Sequence, residues 1–161
     1  MYLERNSKNG MPFAISLFAA RSVIIFCPNS IHLRIFVQYS KTKILIVEDD
    51  AESREMLKVL LEARGYTLLC AGDGGEGFHL AVKQQPDLII TDLAMPEVDG
   101  FDLIRLLRQE PVTSAIPVIV FTAYIDIEQK ALKKLGANEI AFKPIRVEQL
   151  LAMITQLLPV R

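Results

Sequence analysis

From Lys41 onward the sequence alternates, five times over, between a short apolar run and a stretch whose apolar residues recur at helical spacing. Lys43–Val47 (KILIV) is brief and rich in β-branched residues, as a strand buried on both faces requires. Asp50 then offers a helix cap; Met56, Leu57, Leu60 and Leu61 fall on one face, and Gly65 stops the helix at C′. The pattern repeats with a strand over 66–70 and a helix over about 74–84 that turns Phe78, Ala81 and Val82 inward before Pro86. A third strand over 87–91 runs up to Asp92. After Asp99 and Gly100 a helix uses Phe101, Leu103, Ile104 and Leu107 until Pro111 ends it. A fourth strand over 117–121 precedes a helix that Asp126 can cap, built on Ile127, Ala131, Leu132 and Leu135 and closed by Gly136. Residues 139–142 make a short fifth strand, and the last helix uses Val147, Leu150, Leu151, Ile154, Leu157 and Leu158 up to Pro159.

Strict strand–helix alternation predicts a parallel sheet with helices on both faces, joined by right-handed crossovers. Ligands of such sheets sit at the carboxyl ends of the strands, so the residues just after each strand are the candidates for chemistry. The chain has 161 residues, enough for one domain with a buried core and a short extension. Its net charge of −1 argues against nucleic acid as a partner. Cys27 and Cys70 form no C-x-x-C and lie far apart, and His32 and His79 are isolated; neither a disulfide framework nor a zinc site is expected.

At the predicted strand ends stand Glu48, Asp49 and Asp50, then Asp92, then Thr122, then Lys143 followed by Pro144. Singly, each has a plain reading. Glu48–Asp50 can be a solvated helix cap, which is the best reading of Asp50 itself. Asp92 can form a turn, Thr122 can be a strand residue, and Lys143 can be an ordinary surface lysine. Jointly they gather carboxylates, a hydroxyl and an amine at one edge of the sheet. Converging carboxylates repel, and their ionised forms need a cation. Mg²⁺, an oxygen-loving ion that takes one or two carboxylates and keeps waters or phosphate oxygens, suits the set. A carboxylate can attack a phosphoryl donor to give an acyl phosphate, with charge and position supplying the catalysis.

The segments Ile44–Asp50 (ILIVEDD), Leu88–Gly100 (LIITDLAMPEVDG), Val118–Ala123 (VIVFTA) and Phe142–Pro144 (FKP) resemble the response-regulator receiver family. The four motifs stand in the family's order and spacing over about residues 42–158. The resemblance implies an α/β flavodoxin-like fold, a doubly wound five-stranded parallel sheet of order 2-1-3-4-5 with five helices. It implies that Asp92 is the phosphoacceptor, that Thr122 is the switch hydroxyl and that Lys143 neutralises the phosphoryl group. It also implies a Mg²⁺ site made by Asp49 directly, Glu48 mainly through water, Asp92, and the backbone carbonyl of Ala94. Pro144 matches a proline often preceded by a cis bond. The partners implied are a histidine kinase or phosphotransfer protein and a downstream protein that the sequence does not name, all in the cytoplasm. Homodimer formation is left open.

Three departures matter. The family's aromatic switch position, three before the lysine, holds Ile140, so another element of the face around the fourth helix, fifth strand and fifth helix must report the signal. Phe142 points the same way by strand alternation. The second residues after the aspartate and the threonine are Ala94 and Tyr124, which offer no carboxylate or amide to aim a water, so slow autodephosphorylation is expected. Because Ala94 is not a carboxylate, turnover of external phosphoesters is not expected, and the only chemistry foreseen is self-phosphorylation and autodephosphorylation. A degenerate receiver serving only as a docking module is the competing reading. With little beyond the last predicted helix, a stand-alone, chemotaxis-regulator-like protein is expected.

Gly72–Gly77 (GDGGEG) fits G-x-G-x-x-G but follows the second strand rather than the first, and reads as a loop into a helix, not a dinucleotide site. Residues 1–40 carry net +3 and the remainder −4, which marks a boundary near Tyr39 to Lys43, with a receiver over 41–161. The apolar stretch 11–27 is interrupted by Arg21 and falls short of the roughly 20 residues of a membrane helix. Three readings stand for residues 1–40: a poorly ordered extension, which is favoured; an element packed on the domain; or a segment that associates with a membrane. No membrane contact is expected apart from that last reading. An export signal, with Arg5 and Lys8 before an apolar core, would conflict with a cytoplasmic phosphodonor.

Overall fold

The computed structural model describes residues 14–18, 22–26, 42–126 and 128–158. The chain divides into two compact units, one spanning Met1–Ser40 with Val160–Arg161 and the other Lys41–Pro159. In the first, β1 (Ala14–Phe18) and β2 (Ser22–Phe26) pair antiparallel in a two-stranded sheet. The remaining expectations for residues 1–40, and those placed on Ile127 and Pro159, lie outside the described residues.

The second unit runs β3 (Lys43–Val47), α1 (Ala51–Glu62), β4 (Thr67–Ala71), α2 (Gly74–Gln84), β5 (Leu88–Thr91), α3 (Gly100–Gln109), β6 (Val118–Thr122), α4 (Gln129–Leu135), β7 (Glu139–Phe142) and α5 (Val147–Leu157). Its five strands are all parallel, in the order β4-β3-β5-β6-β7. Counted within the unit this is 2-1-3-4-5, the flavodoxin-like order.

The central strands β5 and β6 are wholly buried, because helices cover both faces. On one face Ile44, Ile46, Leu88, Ile90 and Ile119 pack with Leu57 and Leu61 of α1 and Leu150 and Ile154 of α5. On the other, Leu45, Ile89, Val118 and Val120 pack with Ala81 of α2, Leu103, Ile104 and Leu107 of α3, and Leu132 of α4.

The local signals behave unevenly. Asp50, Asp73 and Asp99 cap α1, α2 and α3, each carboxylate accepting the N–H three residues on. Asp126 does not cap α4. That helix starts two residues later than expected, with Glu128 at the cap position and no side-chain hydrogen bond there. Met56 is 59% exposed rather than inward; with α1 starting at Ala51, Leu57 and Leu61 alone fill its buried stripe. α1 closes at Ala63, which puts Gly65 one position beyond C′. Leu158 is buried but lies just past the end of α5.

Candidate functional site

In-register pairing brings the critical side chains together. Val47 pairs with Thr91, Thr91 with Val120, and Thr122 with Phe142. The next residue on three of the four strands is therefore Glu48, Asp92 or Lys143, and on β6 the last strand residue is Thr122. Backbone bonds continue the ladder past the strand ends, from Asp92 N to Val47 O at 2.9 Å and from Lys143 N to Thr122 O at 2.8 Å.

Lys143 is the hub. Its Nζ donates to Asp92 Oδ2 at 2.6 Å and to Glu48 Oε2 at 2.7 Å. It also lies 5.2 Å from the ring centroid of Phe121, a cation–π distance. Glu48 is 3% exposed and Asp92 8%. Charged groups so buried are stable only when paired. Asp92 Oδ1 accepts from its neighbours' backbone, Leu93 N at 2.5 Å and Ala94 N at 3.3 Å, which fixes the carboxylate plane.

Burial pushes the Glu48 carboxyl above its usual range; the hydrogen bond and charge of Lys143 oppose this, while the charges of Asp92 and Asp49 add to it. Burial alone would pull Lys143 down. Its hydrogen bonds to Asp92 and Glu48 outweigh that and hold the ammonium above its usual pKa. The two shifts agree: one ammonium is shared by more negative charge than it can neutralise.

Thr122 is fully buried, and its hydroxyl oxygen accepts from Tyr124 N at 3.2 Å. Asp49 and Ala94 are exposed at the mouth of the site, and Asp50 is the α1 cap. Glu48, Asp92 and Lys143 are thus joined by direct bonds, whereas Asp49 reaches Glu48 only through charge and Thr122 engages the loop after β6. The Lys143–Pro144 peptide is cis, as the motif suggested.

Some positioning residues had little signal in the sequence. Arg54, in the first turn of α1, donates from Nη1 to Glu48 O at 2.5 Å and Asp49 O at 3.2 Å, holding the acidic pair at the strand end. Gly100 lets α3 begin against the backbone of Asp92 and Leu93: a Cβ there would collide with the Asp92 carbonyl, and Gly100 N donates to Leu93 O at 3.0 Å. Arg54 stands among ordinary polar helix residues, and Gly100 reads locally as a helix start.

Among the described residues, no three His, Cys, Asp or Glu side chains gather closely enough to hold a metal ion by themselves. The donor set nevertheless fits Mg²⁺. Every candidate is a hard oxygen, and the two carboxylates that flank Lys143, with Asp49 beside them, outnumber the single ammonium. Mg²⁺ takes only one or two carboxylates and fills its other positions with water or phosphate oxygens.

A family model for the response regulator receiver domain matches residues 44–155. The chain belongs to the response regulator receiver family. It is 41% identical over 117 residues to the DNA-binding dual master transcriptional regulator RpaA of Synechocystis, covering 72% of this chain and 48% of RpaA. The chain thus spans about half the length of that relative. Protein PilH of Pseudomonas aeruginosa is 38% identical over 117 residues, 72% of this chain and 97% of PilH. Among solved structures, the chemotaxis response regulator CheY4 of Vibrio cholerae superposes with a TM-score of 0.69 at 31% identity, covering 74% of this chain and 100% of CheY4. Among the described residues, no helix is long and apolar enough to cross a membrane.

Proposed function

We propose that this receiver accepts a phosphoryl group on Asp92 from a phosphohistidine of a cytoplasmic histidine kinase or phosphotransfer protein, and signals by docking to another protein in its phosphorylated state. The observation that carries the reading is the bonding of one lysine to both buried carboxylates, with Nζ at 2.6 Å from Asp92 and 2.7 Å from Glu48. A carboxylate oxygen of Asp92 attacks phosphorus, the O–P bond forms as the donor's N–P bond breaks, and the imidazole leaves. Leu93 N and Ala94 N orient the nucleophile through Oδ1. Lys143, held protonated, moves with the developing charge from the carboxylate to a phosphoryl oxygen. Glu48, Asp49, Asp92 and the Ala94 carbonyl would hold Mg²⁺, which when bound neutralises phosphoryl oxygens. The Thr122 hydroxyl leaves Tyr124 N and donates to a phosphoryl oxygen.

Phe142 supports a route for the signal in place of the family's aromatic switch. It is the register partner of Thr122 and packs against the same core as Ile140, which is itself buried. A shift of Thr122 therefore meets Phe142 directly.

The test is intact-mass measurement after incubation with acetyl phosphate and Mg²⁺, for wild type and Asp92→Asn. One phosphoryl group is expected on wild type alone. No gain on wild type would favour a constitutive docking module, and gain on both would mean a different acceptor. Ala94 and Tyr124 are both exposed and neither aims a water, so the phosphoryl group should persist for minutes or longer after the donor is removed. Decay within seconds would contradict that assignment. Multiple turnovers of a generic phosphomonoester would instead indicate an enzyme.

A further inference from the structure

Arg108, near the end of α3, is half-buried and makes five side-chain hydrogen bonds away from the site. Its Nε and Nη2 donate to Gly136 O at 3.1 and 2.6 Å. Its Nη1 donates to Ser114 O at 3.2 Å and Ile116 O at 3.0 Å, and Nη2 also reaches Asn138 Oδ1 at 3.2 Å. Asn138 Oδ1 in turn accepts from Val118 N at 2.9 Å. A single guanidinium therefore ties together α3, the approach to β6, the closing residue of α4 and the approach to β7.

Gly136 is fitted to this role. Its φ of +121° is a conformation that side chains rarely adopt, and a Cβ there would press into the Arg108 side chain at 2.6 to 3.0 Å. The last carbonyls of a helix are its negative end, which suits a cation. Arg108 has a planar fork of donors that a lysine lacks, and burial lowers its pKa without threatening its charge.

The other end of α4 is held by much less. Glu128 makes no side-chain cap, Leu132 is the helix's only buried residue, and Tyr124 and Ile125 in the preceding loop are 60% and 72% exposed.

We propose that Arg108 is the fulcrum of α4: it pins the helix's C-terminal end at Gly136, so that a change driven from Thr122 swings the N-terminal end of α4 instead of displacing the whole helix. The swing rests on the phosphoacceptor reading of Asp92; the pin does not. The result would be a docking surface remade near residues 124–131 while the edge bearing Asn138 and β7 keeps its register.

The test is amide hydrogen exchange on wild type, Arg108→Lys, which keeps the charge, and Arg108→Gln, which removes it, with and without acetyl phosphate and Mg²⁺, each sample's phosphoryl occupancy read by intact mass. In unmodified wild type, the amides of Gly136 and Ala137, which bond Leu132 O, should exchange about tenfold or more slowly than those of Ala131 and Leu132, which bond Glu128 O. Arg108→Lys should remove that gradient while the amides of Ile44–Val47 keep their protection. In the phosphorylated wild type, the change should be confined to the N-terminal half of α4; in the variants it should spread through Gly136 to β7. Uniform acceleration that includes β3 would mean that Arg108 only stabilises the domain, and would overturn the proposal. Unchanged protection at Gly136 and Ala137 in both variants would overturn it too. A mass gain with equal change at both ends of α4 would defeat the swing alone, whereas no mass gain would defeat the phosphoacceptor reading and the swing together.

Discussion

α1, α2 and α3 each begin on an aspartate whose carboxylate accepts a backbone N–H three residues on, whereas α4 and α5 begin at Glu128 and Arg146 with no side-chain cap. In the core the contrast is between α3 and α4. α3 buries Leu103, Ile104 and Leu107, while α4, on the same face of the sheet, buries Leu132 alone. The half from β3 to α3 carries Glu48 and Asp92; the half from β6 to α5 carries Thr122 and Lys143. The site is thus the seam between a half whose helices begin on side-chain caps and a half whose helices do not. In the proposed reaction, the carboxylate that receives the phosphoryl group lies in the capped half, and the groups that move to meet it lie in the other. Elements with few buried contacts and exposed backbone bonds are the ones that open locally.

The largest expected effect comes from cutting the seam. Lys143→Met leaves Glu48 and Asp92 as buried carboxylates with no cation between them. In Mg²⁺-free buffer near neutral pH this should cost about 3 kcal/mol in denaturant unfolding. The pH dependence has a definite sign. A carboxyl whose folded pKa is raised, as burial raises that of Glu48, favours folding below the unfolded carboxylate range and loses that contribution as pH rises through the folded value. Removing Lys143 removes the influence that opposed the rise, so the window of loss moves to higher pH, and the variant should recover stability on mild acidification. Equal destabilisation at both pH values would show that the carboxylates relax into water and that the seam is not electrostatic.

Next come paired cavities. Leu103→Ala and Leu132→Ala remove the same atoms from two fully buried sites, and each should cost about 3 kcal/mol where the element unfolds with the domain. The comparison predicts that Leu103→Ala lowers global stability by that amount. Leu132→Ala should lower it by less and raise amide exchange chiefly over Gln129–Leu135. Identical losses in global unfolding would erase the distinction between the halves.

The smallest effects lie at the caps. Asp99→Ala should cost about 1 kcal/mol, because Asp102 N loses its acceptor at 2.9 Å. Glu128→Ser should add up to about 1 kcal/mol by giving α4 the cap it lacks, since Glu128 already has extended backbone geometry at φ −69° and ψ 97°. If the added cap also reduces the exchange response to phosphorylation, the loose start of α4 is part of the switch. If stability rises and the response is unchanged, it is not.

The residues that succeed and fail as sequence signals divide along the same seam. Asp50 and Asp99 announce their helices because a cap acts over three residues, and β3, β5 and β6 announce themselves because a strand covered on both faces must be apolar throughout. Asp126 misleads because the chain does not turn into α4 until Glu128, and nothing local to Asp126 reveals that. Met56 misleads because helical spacing alone cannot say how wide the buried stripe is.

The sequence by itself determined the alternation, the order of the elements, and the presence of Glu48, Asp92, Thr122 and Lys143 at strand ends, since these follow from periodicity and from motifs a few residues long. Only the tertiary structure decided that Lys143 bonds Glu48 and Asp92 at once, that Arg54 holds the acidic pair's carbonyls, that Phe142 lies beside Thr122, and that Arg108 reaches the end of α4. Lys143 is separated from Glu48 by 95 residues and Arg108 from Gly136 by 28. Such pairs meet only because the strands align in one register, and a charge on a long side chain carries no mark, in its own neighbourhood of the sequence, of the distant oxygen it will find.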